Sequence, residues 1–181
     1  LDLSVGSLLT LLTVIVVDQH NVAGPGLAIV ITLAAGVAVG MFNGVLVGLV
    51  GLNALIVTLA MLSFLQGLVL FYSGGSNVNV QNAQTTWFGV FGRGDILGVP
   101  VPALIFLITA AIAAFVLART IFGRQVFAVG GNETASRFSG IAAPWTVFWA
   151  YALSGLTTAI AAIIMGSRVM GAQNTIGQGY E

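Results

Sequence analysis

The sequence predicts an all-α protein, a polytopic transmembrane helical bundle of about five spans with a short helix between the fourth and fifth. Three observations carry that reading. Hydrophobic residues make up 58% of the 181 and charged residues only 6%, against roughly a quarter charged in an average soluble domain; mean hydropathy is +1.07. Apolar runs fall at residues 3–17, 27–50, 54–72, 99–118 and 145–165. The charged residues and the single histidine (Asp2, Asp18, His20, Arg93, Asp95, Arg119, Arg124, Glu133, Arg137, Arg168 and Glu181) all lie outside those runs. A charge at mid-bilayer costs at least about 2.5 kcal/mol, so lipid solvation explains the exclusion.

The last four runs are each long enough, at 1.5 Å per residue, to cross a hydrocarbon core about 30 Å thick. The first is short, either truncated or a broken helix. Leu1 opens directly into it, and the chain stops in the polar, Gly-rich stretch GAQNTIGQGYE. These ends read as an internal piece of a longer protein, and no signal peptide can be diagnosed.

Prolines punctuate the run starts: Pro25, Pro100, Pro102 and Pro144 sit where a helix's first turn tolerates a missing N–H. Phe71, Tyr72, Phe122, Phe127, Trp145 and Trp149 gather near run ends, as expected of side chains at a membrane–water boundary. The second run carries Gly36, Gly40, Gly44 and Gly48, a stripe along one face that lets another helix backbone approach closely. This helix is expected to be central to the bundle.

Residues 18–26 and 52–53 read as short joins between antiparallel neighbours. Two longer connections, 73–98 and 119–144, fall on opposite sides of a five-span bundle. The first, rich in Asn, Gln, Ser, Thr and Gly around Trp87, Phe88 and Phe91, is expected on the membrane surface or dipping into it. The second holds Arg119, Arg124 and Arg137, three of the five arginines, which favours the cytoplasm.

Covalent chemistry finds little support. There is no cysteine and no lysine, hence no thiol nucleophile, no disulfide and no GxxxxGK[ST] phosphate loop. No catalytic residue, metal site or cofactor is expected. His20 beside Asp18 reads as a solvated loop residue, and it lacks the spatially implied serine of an intramembrane protease. The net charge of zero gives no argument for nucleic acid.

The segment FGRQVFAVGGNETASRFSGI, residues 122–141, is the most informative. Gly130 and Gly131 break the chain, Asn132 caps a helix, Glu133 sits at its positive end and Gly140 ends it. A helix of about two turns over Glu133 to Ser139 follows, with Arg137 projecting and Ala135 and Phe138 offering contact surface. Tied at both ends to spans, it can act as a lever or be an ordinary interfacial helix.

GGNETASRFSGI closely resembles the cytoplasmic coupling segment of binding-protein-dependent ABC permeases of the ribose, xylose and autoinducer type. LDLSVGS (1–7), GMFNGVLVG (40–48), NALIVTLAMLSFLQGL (53–68) and FGRGDILGVPVPALI (91–105) resemble further segments of that family in the expected order. Two departures bear on substrate class: Asn53 and Ala54 stand where a proline pair is often seen, and Gln66 replaces a commonly basic residue.

The resemblance implies a permease subunit in the bacterial inner membrane, with ATP hydrolysed by separate ATPase subunits. A ribose-like sugar would arrive from a periplasmic binding protein docked on loop 73–98, and a second permease copy would pair around the pathway. Gly131, Asn132, Glu133, Ala135, Arg137, Ser139 and Gly140 are then the implied ATPase contact. Ser4, Asn43, Asn53, Thr58 and Gln66 are uncharged candidates for the pathway, able to hydrogen-bond hydroxyls without a buried charge, or else helix-packing contacts. The rival readings are a branched-chain amino acid ABC permease, an ion-coupled secondary transporter or channel, and a membrane scaffold.

Overall fold

An aliphatic run from Leu8 to Val17, interrupted only by Thr10 and Thr13, forms the body of the first helix, α1 (Val5–Ala23). The computed structural model describes residues 1–177 and 179; Glu181, among the charges placed outside the runs, lies outside the described residues. After α1 come α2 (Pro25–Gly44), a π-helical turn (Val45–Leu49) that prolongs it, and α3 (Ala54–Ser73). A connection follows with strand β1 (Val78–Asn79), a 3₁₀ turn (Trp87–Gly89), α4 (Val90–Arg93) and strands β2 (Asp95–Ile96) and β3 (Val99–Pro100). The chain continues through α5 (Val101–Arg119), α6 (Ile121–Gly131), α7 (Glu133–Phe138), α8 (Ala143–Val169) and strand β4 (Gly171–Ala172). Five of these helices, α1, α2 with its π turn, α3, α5 and α8, are long and apolar enough to cross a membrane. The chain is an all-α, multi-pass membrane bundle.

The helix ends have local causes. Gly24, at φ +83°, turns α1 directly into Pro25, the first residue of α2. The Asn53 carboxamide oxygen accepts from the Leu55 N–H at 2.9 Å to start α3, and Gly74 closes it in the left-handed conformation. The expected join at 18–26 is therefore corrected: α1 runs on through Asp18, Gln19, His20 and Asn21. Arg119 ends α5 and Arg168 lies in the last turn of α8, so charges are absent from helix middles but not from the helices themselves. At an end, a polar side chain reaches partners beyond the hydrocarbon.

The centre of the bundle is α1 rather than the glycine-bearing α2. Leu12, Val14, Val16 and Val17 of α1 are fully buried, and α1 packs on α2, α3 and α8. On α2 only one face is buried, along Ala28, Thr32, Gly36, Gly40, Asn43 and Gly44. That one face packs on both α8 and α1, while Leu27, Val30 and Phe42 leave the other sides of α2 exposed. Hydroxyls inside the bundle bond back to their own helix: Thr13 to the Leu9 carbonyl, Thr32 to Ala28 and Thr58 to Ala54, at 2.7, 2.7 and 2.8 Å. That satisfies them without a cross-helix partner. Only Val101 of α5 is buried, and α5 touches the rest through α4, α6 and β3.

The connection 74–98 folds over the bundle end that carries the C-termini of α1, α3 and α8. β1 pairs antiparallel with β4, Val78 opposite Ala172. Phe88 is fully buried and stacks at a tilt on His20, with centroids 5.3 Å apart. His20 is itself buried, its Nε2 2.7 Å from Thr86 Oγ1, contrary to the solvated loop expected. Ser167 Oγ donates to the Phe88 carbonyl at 2.6 Å and accepts from the Gly92 N–H at 2.8 Å. Arg93 Nε donates to the Arg168 carbonyl at 2.8 Å, and Tyr72 Oη donates to Asp18 Oδ2 at 2.7 Å.

Candidate functional site

At the opposite end of the bundle, Thr120 opens α6 by accepting from the Gly123 N–H at 3.1 Å. Gly130 and Gly131, expected to break the chain, are instead the last residues of α6. The break comes one residue later, at Asn132, whose extended backbone separates α6 from α7. Asn132 Oδ1 accepts from the Ala135 N–H at 2.9 Å. Ser136 Oγ donates to the Asn132 carbonyl at 2.8 Å and Ser139 Oγ to the Ala135 carbonyl at 3.0 Å. Gly140, at φ +79°, turns the chain toward α8. Every residue from Gly131 to Gly140 is exposed except Ser136, and the apolar Phe138 is 89% exposed.

Glu133 and Arg137 pair across one helical turn at 2.8 Å. With 54% and 59% of their side chains exposed, such an i,i+4 pair stabilises by about 0.3–0.5 kcal/mol. Its placement is more informative than its strength. The pair lines a cleft of about 300 Å³ with Gly48, Gly51, Leu52 and Pro144. Thus α7, which packs on α6 and α8, shares a cleft with the π turn of α2, the start of α3 and the start of α8. Arg137 faces this cleft as well as the outside.

The glycine stripe meets α8. A Cβ on Gly36 would fall 2.6 Å from the Gly155 carbonyl oxygen, one on Gly44 2.7 Å from that of Phe148, and one on Gly48 2.6 Å from that of Pro144; at Gly40 it would strike the Tyr151 carbonyl. Close backbone approach of this kind is how small residues associate helices in lipid.

Of the five polar pathway candidates, two come together. Ser4 and Asn43 are both buried. Asn43 Nδ2 donates to Ser4 Oγ at 3.1 Å, and Ser4 Oγ donates to Asp2 Oδ1 at 2.6 Å. Asn43 Oδ1 is buried without a partner. Thr58 is buried but bonded to its own helix. Asn53 caps α3 at the surface, and Gln66 is exposed on α3, so neither joins the Ser4–Asn43 cluster. Among the described residues no group of three or more metal-ligating side chains converges.

Residues 1–181 match the family described as branched-chain amino acid transport system / permease component. The chain belongs to this family. Its curated relatives include the ribose import permease protein of Escherichia coli K12, 40% identical over all of this chain and 57% of that protein. The ribose import permease protein of Bacillus subtilis 168 is 38% identical over all of this chain and 56% of its own length. The L-arabinose transport system permease protein of E. coli K12 is 34% identical over 88% of this chain and 51% of that protein. No solved structure matches. The permease chain thus spans a little over half the length of the relatives it matches.

Sequence reasoning missed three features of this permease chain. Helix α6 is signalled by Thr120 before an amphipathic run, a threonine cap that accepts from the Gly123 N–H. The α8 partner of the stripe was signalled by Ala152, Gly155 and Ala159, small residues at three- and four-residue spacing. The fold of residues 171–177 had only its polarity as a sign.

Proposed function

We propose that this chain forms part of the membrane-spanning permease subunit of an ATP-driven ABC importer in the bacterial inner membrane. Its cargo would be a ribose-like sugar handed over by a periplasmic binding protein. The observation that carries the reading is the end-to-end similarity, at 38–40% identity, to proteins described as ribose import permeases. Helix α7 supports it physically: a capped, solvent-facing helix that packs on one span and shares a cleft with the start of another is suited to pass a push from a separate ATPase subunit into the bundle. The ATPase contact then comprises Gly131, Asn132, Glu133, Ala135, Arg137, Ser139 and Gly140, and loop 73–98 faces the binding protein. Two permease copies would enclose the pathway. The chain itself performs no covalent step; coupling is mechanical.

The family description names branched-chain amino acids, which keeps that cargo as the second reading. The test is uptake of radiolabelled ribose into proteoliposomes holding the full-length permease with the ATPase and binding protein encoded beside it. ATP-dependent uptake, blocked by excess unlabelled ribose and not by leucine, is the expected result. ATP-dependent uptake of radiolabelled leucine with none of ribose would move the assignment to amino acids, and uptake driven by an ion gradient without ATP would reject the importer.

A further inference from the structure

Past α8 the chain does not leave the bundle. Met170, at φ +54°, reverses it, and β4 pairs with β1 so that Gly171 lies opposite Asn79. The Asn79 carbonyl accepts from Asn21 Nδ2 at 2.9 Å, which fixes this point at the level of Asn21 on α1. Six residues later the Gly177 N–H donates to Thr10 Oγ1 at 3.0 Å. Gly177 lies so close to the Gly6 carbonyl that a Cβ would strike it. From Asn21 to Thr10 the helix rises about 16 Å, a span the chain covers with β4 and a turn closed by the Ile176 N–H on the Gln173 carbonyl at 3.1 Å. Residues 171–177 therefore run back along α1 for more than half its length, as irregular backbone at membrane depth.

Such backbone is tolerated inside a membrane only where protein buries it or where it lines a water-filled cavity. Here protein covers one side of the segment and leaves the other open. Gly171, Ala172 and Gly177 are buried against the bundle, whereas Gln173 and Thr175 are exposed. Asn174 is half-buried, and its Oδ1 is buried without a hydrogen-bond partner. Three consecutive neutral hydrogen-bonding side chains, with no charge among them, match the chemistry of a polyhydroxylated neutral solute and mismatch hydrocarbon.

We propose that Gln173, Asn174 and Thr175 form a re-entrant, water-lined wall of the solute path and hydrogen-bond the passing solute. The proposal rests on the transport reading above for the existence of a solute, but not on which solute it is. Residues Ser4 and Asn43 lie near the start of α1 and the far end of α2, so the re-entrant segment supplies polar contacts deeper along α1 than they do.

The test is a cysteine scan of the full-length permease in proteoliposomes with its ATPase and binding protein, starting from a cysteine-free background. Gln173→Cys, Asn174→Cys and Thr175→Cys are each exposed to a charged, membrane-impermeant methanethiosulfonate reagent; Ile112→Cys, on the exposed face of α5, is the lipid-facing control. Labelling of the three well above the control, slowed when ribose turns over with ATP, is the expected result. Labelling as slow as the control's, or labelling indifferent to turnover, overturns the proposal. Asn174→Ala is expected to raise the KM for uptake up to about tenfold, the worth of one hydrogen bond, with the protein still folded. Should the wild type carry a different neutral solute, the transport reading changes its cargo, and protection is scored with that solute instead.

Discussion

Gly40 of α2 lies directly against the backbone carbonyl of Tyr151 in α8, closer than any side chain would permit. The two helices meet at the spacing of their main chains, and the contact continues through Gly36, Gly44 and Gly48. Substituting Gly40 by leucine therefore has nowhere to place the new atoms. Overpacking costs typically about 1–3 kcal/mol, and the Gly40→Leu permease is expected to lose that much, read as a lower thermal midpoint in detergent. Gly26→Ala, a position with open space around it, is the control and is expected to leave the midpoint unchanged or raise it.

Ser167 joins the connection 74–98 to α8 through two hydrogen bonds, and it is fully buried. Ser167→Ala removes the acceptor of the Gly92 N–H and leaves the Phe88 carbonyl only the Val90 N–H, at about 1–3 kcal/mol for a buried unsatisfied group. Faster amide exchange across residues 86–93, with the exchange of α1 unchanged, is the expected signature. Uniform acceleration throughout the protein would show instead that the clasp holds the whole bundle.

Arg137→Glu sets two carboxylates one turn apart on α7 and removes the implied ATPase contact at once. Copurification of the ATPase subunit is expected to fall while membrane insertion is kept. The exchange Glu133→Arg with Arg137→Glu separates the two causes, since it restores the pair but not the position of the positive charge. If the double variant regains the ATPase, Arg137 matters only for folding α7, and the proposed contact is wrong.

Asn43 holds Ser4, which in turn holds Asp2. Asn43→Asp replaces the amide donor with a second carboxylate in a buried site already holding one. A loss on the order of 3 kcal/mol is expected, the scale for leaving a buried charge uncompensated. Asn43→Ala, which leaves the Ser4–Asp2 bond intact, is expected to cost less than half as much in the same thermal assay.

The five apolar helices were legible because lipid enforces a plain rule, visible in the absence of charge from residues such as 27–50 and 99–118. The helix ends were not. Asp18, Gln19, His20 and Asn21 look like a loop, yet they remain helical because Tyr72, Thr86 and the Asn79 carbonyl wait beside them, and those partners are more than 50 residues away. The cap at Asn132 was readable because Asn132 and Ala135 are local; the cleft shared by Glu133, Arg137 and Gly48 was not, since it brings α7 together with α2, α3 and α8. Likewise the stripe could be seen in α2 alone, but that α1 and not α2 sits in the middle depends on how all the helices share their surfaces.

The Ser167 clasp also constrains how this protein is made. Gly92 is translated 75 residues before the serine that receives its N–H, an interval of about 4–15 s at ribosomal speeds of ~5–20 residues per second. For that time the connection has left the ribosome while its anchor has not, so its aromatic residues, Trp87 and Phe88 included, wait at the lipid headgroups. A synonymous change that slows synthesis between residues 100 and 165 lengthens the wait and exposes that stretch to proteases before the lock exists.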